Sequence, residues 1–309
     1  MVKSSVYGAL KYKLMDDLIF TVGGRFSNYE EKSRGIGLDN QSDWEKNANK
    51  VSMEFTPYAG LVWNFSRDFS WYASYTDIFS PQTEQDWQGN TLQPRLGWQI
   101  ETGIKGELFD GRLQSSLAVF RLRDQNKATL DRNPEHYPNK YCEGDGINPD
   151  TFGCSVAGGE NQTQGVELEL VGQLTDRWNI ITSYVYTDAE VIKTNSTAWW
   201  DYAVGANFAA YTPRHAFKLW STYAFDRGLS LGVGLNAQSN LYDSTTGQRN
   251  GGYTVANAHI GYKVNSNVDL SLNLNNIFDK SYFEGMGYAA NRWMYGEPRN
   301  YMLSLRMRY

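Results

Sequence analysis

The most reactive side chains of the sequence lie close together. Cys142 and Cys154, its only two cysteines, bracket the string CEGDGINPDTFGC inside a polar stretch. Two thiols this near in sequence form a disulfide in an oxidising compartment, and so small a ring constrains the unfolded chain by roughly 3 kcal/mol. A Cys142–Cys154 pair is therefore expected. A metal site completed by His136 is the rival, but two thiolates and one imidazole leave a structural tetrahedral site one ligand short. Asp145, Asn148 and Asp150 offer oxygen ligands without the spacing of a calcium loop, so they read as solvated loop residues. The three histidines, His136, His215 and His259, have no metal-ligand spacing among themselves. Nothing resembles a nucleophile elbow, phosphate loop or zinc motif, so no catalytic residue and no metal site is expected.

The elements that must hold these residues are strands. Val268, Leu270, Leu272 and Leu274 alternate with Asp269, Ser271, Asn273 and Asn275, and Leu229, Leu231, Val233 and Leu235 alternate with Ser230, Gly232, Gly234 and Asn236. Similar alternation runs through 69–75, 113–119, 166–170 and 217–225, and no segment has a helical period. The last nine residues, YMLSLRMRY at 301–309, repeat the pattern and end on an aromatic side chain. A long terminal strand of this kind invites edge pairing unless something closes it off.

The connections fall into two kinds. Tight turns are predicted at 15–17, 66–68, 109–111, 175–177, 226–228 and 265–267, and long polar loops near 28–49, 79–95, 128–162, 192–213, 240–252 and 284–298. Short and long connections alternate strictly, which is the pattern of an outer-membrane barrel with short periplasmic turns and long external loops. Trp63, Trp71 and Trp178, with Phe69 and Tyr72 beside them, recur near the tight turns, where an interfacial aromatic girdle belongs. The expected fold is all-β, a transmembrane antiparallel outer-membrane β-barrel with about thirteen strands present. An even count with both termini periplasmic is the rule for bacterial barrels, so an odd count starts the chain in mid-barrel. His215 and His259 are expected to line the lumen.

Composition agrees with this reading. No window holds the roughly 20 apolar residues of a transmembrane helix, and a mean hydropathy of −0.56 is compatible with strands that alternate lipid-facing and lumen-facing residues. A net charge of −5 with no basic stripe among the aromatics gives no reason to expect nucleic acid. The start, MVKSSVYGALKYKL, has no apolar core or small-residue cleavage site, so it is not read as a secretory signal.

Six strings in order, YASYTDIFSPQ (72–82), ETGIKGELFDGRL (101–113), QGVELEL (164–170), TPRHAFKLW (212–220), LNNIFDKSYFE (274–284) and GEPRNYMLSLRMRY (296–309), resemble the barrel of a TonB-dependent siderophore receptor. The resemblance covers the whole chain and is nearest to receptors for ferric hydroxamate or mixed-ligand siderophores, of the coprogen and pyoverdine type. It implies a barrel of about 22 strands around an amino-terminal plug, since a barrel that wide cannot fill its own lumen. It also implies energy supplied through TonB, ferric siderophore as ligand, outer-membrane lipid and lipopolysaccharide around the wall, and bacteriocins or phage as further partners. Residues 1–309 correspond to the carboxy-terminal part of that barrel, with signal peptide, TonB-binding segment and plug absent. Iron would arrive already chelated, so no cofactor is implied.

Ligand contacts are sought in the loops. Trp87, Trp199, Trp200, Tyr202, Tyr211 and Trp293 fall in external loops or at their edges, away from any lipid-facing alternation, and Arg292 adds a cation. Aromatic walls with a few polar groups suit a bulky, partly apolar siderophore complex. Packing of loop against loop, or an outer girdle, would also account for the rings. The rival functions are a passive porin, a soluble β-rich carbohydrate-binding protein, and a nonfunctional truncated fragment.

Overall fold

The computed structural model describes residues 2–31, 49–136, 154–196, 202–286 and 293–308. Cys142, Trp199, Trp200 and Arg292 lie outside them.

Thirteen strands form one continuous antiparallel sheet. In chain order the strands are β1 (Val2–Lys13), β2 (Leu18–Glu31), β3 (Asn49–Trp63), β4 (Phe69–Ser80), β5 (Arg95–Leu108), β6 (Leu113–Leu130), β7 (Ser155–Thr175), β8 (Trp178–Lys193), β9 (His215–Ala224), β10 (Leu229–Gln238), β11 (Leu241–Tyr242), β12 (Arg249–Asn250), β13 (Tyr253–Lys263), β14 (Val268–Asn275), β15 (Phe283–Met286), β16 (Trp293–Tyr295) and β17 (Asn300–Met307). Strands β11–β12 and β15–β16 are two small hairpins within long connections, and the other thirteen make the wall, each beside its neighbour in sequence. The alternation of six tight turns with six long connections is as the sequence predicts. The closing strand pairs with β14 in the register Leu272↔Leu303 and Leu274↔Tyr301.

Register makes the two faces chemically opposite. Cross-strand rows such as Val6–Phe26–Phe55, Ile104–Leu117–Leu168 and Ile260–Leu272–Leu303 put large apolar side chains on one face, and most of them are exposed. The other face carries Lys11, Thr56, Ser74, Glu101, Glu167, Lys218, Asn257 and Asn273 from the alternate positions. The wall is one layer thick, and among the described residues no second protein layer covers its apolar face. Trp63, Trp71, Trp178 and Tyr223 mark the short-turn end of the apolar face. The Trp63 and Phe65 ring centroids lie 5.7 Å apart, and Trp178 Nε1 donates to Ser221 Oγ at 2.7 Å. That end is the expected girdle, save that Tyr72, expected beside Trp71, lies in the alternate phase and faces inward, where its hydroxyl donates to Glu101 Oε1.

Three further expectations are corrected. The loop predicted at 128–162 is shorter, because β6 continues to Leu130 and β7 starts at Ser155, and the loop predicted from 28 starts only after β2 ends at Glu31. These stretches stand in water, where backbone pairing satisfies the chain and no apolar alternation is needed to mark a strand. At 21 residues, β7 is about 70 Å long, far more than the roughly 25 Å apolar band requires even when tilted. Finally, His215 does not line the lumen. It pairs with Tyr186 in the row of Val166, and its ring lies 5.0 Å from that of Tyr186, with Tyr184 Oη 2.8 Å from its Nδ1. His259 does face inward, 2.8 Å from Asn273 Oδ1.

Candidate functional site

Two surfaces are placed to meet something that passes through or docks into the wall: the concave polar face and the rim of long loops.

On the concave face, alternation sends every second residue of β4 to β7 inward. Tyr72 donates to Glu101 Oε1 at 2.6 Å, Gln99 Nε2 donates to Glu101 Oε2 at 3.2 Å, and Lys105 Nζ sits 5.0 Å from the centre of the Tyr72 ring. Ser70, Gln114, Ser116 and Glu169 continue this surface around a hollow of about 890 Å³ near the short turns. A second hollow, about 490 Å³, is lined by Ser230, His259, Asp269, Ser271, Asn273 and Arg306. Both hollows are lined by hydrogen-bonding groups of mixed charge, a surface that binds a hydrated polar body. These inward residues were readable mostly as the polar half of the alternation; the sequence singled out His259 among them, and Tyr72 only as a girdle residue.

At the rim, individual side chains fasten loops to strands. Gln82 is 5% exposed and donates through Nε2 to the carbonyls of Gln93 (2.6 Å) and Asn126 (2.7 Å), while its Oε1 accepts from Ala128 N at 2.9 Å. It ties the 81–94 connection to a bulge of β6, where Asn126 has φ +60°. Asp86 closes the tip of that connection, accepting from the backbone of Gln88 and Asn90. Trp87, next in the chain, stacks on His136 with centroids 4.5 Å apart and planes 10° from parallel. His136 Nδ1 lies 2.6 Å from Asp131 Oδ2, and Asp131 N donates to the carbonyl of Cys154. Cys154 is buried.

Asn276, 2% exposed with φ +48°, is the clamp of the last long connection. Its Nδ2 donates to the carbonyls of Lys280 and Glu297, both at 2.9 Å, its Oδ1 accepts from Lys280 N, and its own N donates to Asn257 Oδ1. Neither Gln82 nor Asn276 was singled out from the sequence, because a clamp is defined by what folding brings to it.

The predicted ligand residues within the described chain fall in separate places. Trp87 belongs to the His136 cluster, Tyr202 lies beside Lys127, Thr129, Asn161 and Lys193, and Tyr211 is partly exposed later in the same 194–214 connection. Trp293 opens β16 and packs on Phe283 with centroids 5.0 Å apart. Among the described residues no group of three or more His, Cys, Asp or Glu side chains could hold a metal ion.

A single-layer antiparallel sheet, apolar outside and polar inside, with short turns at one end and long loops at the other, is the wall of an outer-membrane β-barrel. The chain belongs to the TonB-dependent receptor family: the family described as "TonB dependent receptor-like, beta-barrel" matches residues 2–277. The family consists of receptors, not enzymes. The chain is 33% identical to the ferric-pyoverdine M114 receptor PbuA of Pseudomonas sp. (strain M114), over 97% of this chain and 35% of that protein. It superposes on the ferripyoverdine receptor of the outer membrane of Pseudomonas aeruginosa bound to ferripyoverdine with a TM-score of 0.77 at 29% identity, covering 99% of this chain and 38% of that one. The FpvAI–pyocin S2 complex gives a TM-score of 0.78 at 29% identity, with 99% and 37% covered. The chain thus spans about a third of the length of the curated relatives it matches.

Proposed function

We propose that residues 1–309 form the carboxy-terminal wall and external rim of an outer-membrane receptor that imports a ferric siderophore using energy supplied through TonB. The observation that carries this is the match of nearly the whole chain, at 33% identity, to a ferric-pyoverdine receptor. The sheet geometry is consistent with it. Strands β1 and β17, at its two edges, both run from the long-loop end to the short-turn end. Antiparallel closure then takes an odd number of further strands, and nine added to these thirteen make about 22. The polar concave face supports a plug domain docked against it, supplied by a further part of the receptor.

Within this reading the rim captures the ligand. Trp87, Trp199, Trp200, Tyr202, Tyr211, Arg292 and Trp293 are the proposed contacts, with the Trp199–Trp200 pair first among them. Iron travels as the chelate and is cargo, so the protein holds no cofactor. Cys142 and Cys154 are proposed to pair and to brace the loop between β6 and β7. Labelling of denatured, unreduced receptor with a thiol reagent should then find no free thiol, and stoichiometric labelling would refute the pair. Lipopolysaccharide and other outer-membrane lipids cover the apolar face, and the rim offers a bacteriocin a docking surface, a reading supported by the structural relative's complex with pyocin S2. Transport of ferric pyoverdine by the intact receptor is the direct test, and a large constitutive ohmic conductance would favour a passive porin.

A further inference from the structure

We infer that the tips of β6, β7 and β8 hold a site for one monatomic anion, chloride in ordinary saline, on the inner side of the rim. The site goes beyond the transport reading and does not depend on which cargo the receptor takes.

Bulges bring its residues together, because an extra residue in one strand re-aims the side chains beyond it. The pairing of β6 with β7 shifts between Asp124 and Lys127 and again after Lys127, which leaves Lys127 opposite Gly159. The pairing of β7 with β8 shifts between Glu160 and Asn161, so Asn161 pairs with Val191 and Lys193 stands two residues further along. Lys127, Asn161 and Lys193 thereby share the inward face, in the phase of Gly97 and Asp124. Gly159 keeps the space beside them open, since a Cβ there would lie 2.9 Å from Thr129 Cγ2 and 3.1 Å from Lys127 Cβ.

The hollow that these residues enclose with Thr129, Thr194 and Tyr202 measures about 20 Å³. A single water-sized sphere needs roughly 10–15 Å³. The hollow therefore takes one small ion and excludes a phosphate, an organic acid or an iron chelate.

The donors around it choose the sign of that ion. Lys127 is half-buried, and among the described residues neither it nor Lys193 forms an ion pair. Glu160, opposite Lys193 in the register, turns its carboxylate to Arg123, 3.9 Å away. Asn161 is 4% exposed, and among the described residues its side-chain amide makes no hydrogen bond, so a bound ion would satisfy an otherwise orphaned buried group. Thr194 Oγ1 accepts from Ser196 N at 3.1 Å, which leaves its hydroxyl hydrogen to donate. Two ammonium groups, an amide N–H and a hydroxyl attract an anion and repel a cation. The anion also ties the strand tips to the 194–214 connection, where Gly205 N donates to the Val191 carbonyl at 2.9 Å and Val191 N donates to the Ala206 carbonyl at 3.0 Å.

The test uses intact receptor in mild detergent, free of halide, with gluconate as an anion too large for the hollow. Hydrogen exchange across 202–210 is followed as chloride or bromide replaces gluconate at constant ionic strength, and crystals are soaked in bromide. The expected result is saturable slowing of exchange by both halides, with an anomalous bromide peak between Lys127 and Asn161 at the concentration that saturates it. Lys127→Met and Lys193→Met should each raise the half-saturating concentration about tenfold or more, and Asn161→Asp should abolish the response. Lys193 is exposed, so its variant carries the comparison should Lys127→Met not fold. Exchange indifferent to halide, variants that respond as wild type does, or a peak that forms at molar bromide alone, an adventitious ion only, would overturn the site.

Discussion

Asn276 shows how one side chain can organise a long loop. Four hydrogen bonds converge on a buried residue at positive φ, linking Asn257 of the wall to both ends of the 276–299 connection. Removing the amide leaves the carbonyls of Lys280 and Glu297 and the N–H of Lys280 without their partner, and orphaned buried groups cost about 1–3 kcal/mol each where water does not reach them. Asn276→Ala should therefore destabilise this loop anchor by about 2–4 kcal/mol, read as faster amide exchange at Lys280 and Ile277 with the wall strands unchanged. Unchanged exchange would show that water replaces the clamp. The sequence offered no sign of this role, since an asparagine in LNNIFDK reads as a turn residue until its partners are known. Trp87 is a comparable case. Its position in a polar loop was legible, but its stacking partner His136, 49 residues away in sequence, was not.

Among the elements, the membrane part of the wall was legible and the part above it was not. Lipid imposes alternation on strands such as β14 and β17, so both their existence and their pairing followed from residue types. Above the membrane the segment SVAGGENQTQ of β7 is strand because β6 and β8 pair with it, and nothing in its own composition says so. The β11–β12 hairpin was hidden in the same way, within a connection predicted only as a loop. Its turn depends on Asp243, 2% exposed, which accepts from Thr245 N at 2.9 Å and Thr245 Oγ1 at 2.7 Å. Burial is the largest single influence on this carboxyl and pushes its pKa up, but hydrogen bonds from Thr245 and Thr246 together bring it below the ordinary value of 3.8. Because the folded carboxyl is the stronger acid, its contribution is fully present above the unfolded pKa and is lost as pH falls through the folded one. The hairpin should hold above about pH 4 and loosen in stronger acid, seen as rising backbone mobility at Thr245 by magnetic resonance. Asp243→Asn should abolish that pH dependence, and a variant that kept it would place the titrating group elsewhere.

At the scale of the whole molecule, the family assigns the fold, and the transport function is proposed for a receptor built around this wall. The outside-apolar, inside-polar sheet, its closing strand and its alternating turns and loops follow from the sequence, because a bilayer leaves few solutions for a backbone that must satisfy every hydrogen bond. The identity of the cargo does not follow in the same way, because it depends on rim residues brought together by loops whose contacts no local pattern records. Uptake of radiolabelled iron as ferric pyoverdine, measured in cells that express the intact receptor with and without a working TonB, tests the central claim most directly. Saturable accumulation only in the cells with TonB is the predicted result. Accumulation that is linear in concentration and indifferent to TonB would contradict the account and make the wall that of a passive pore.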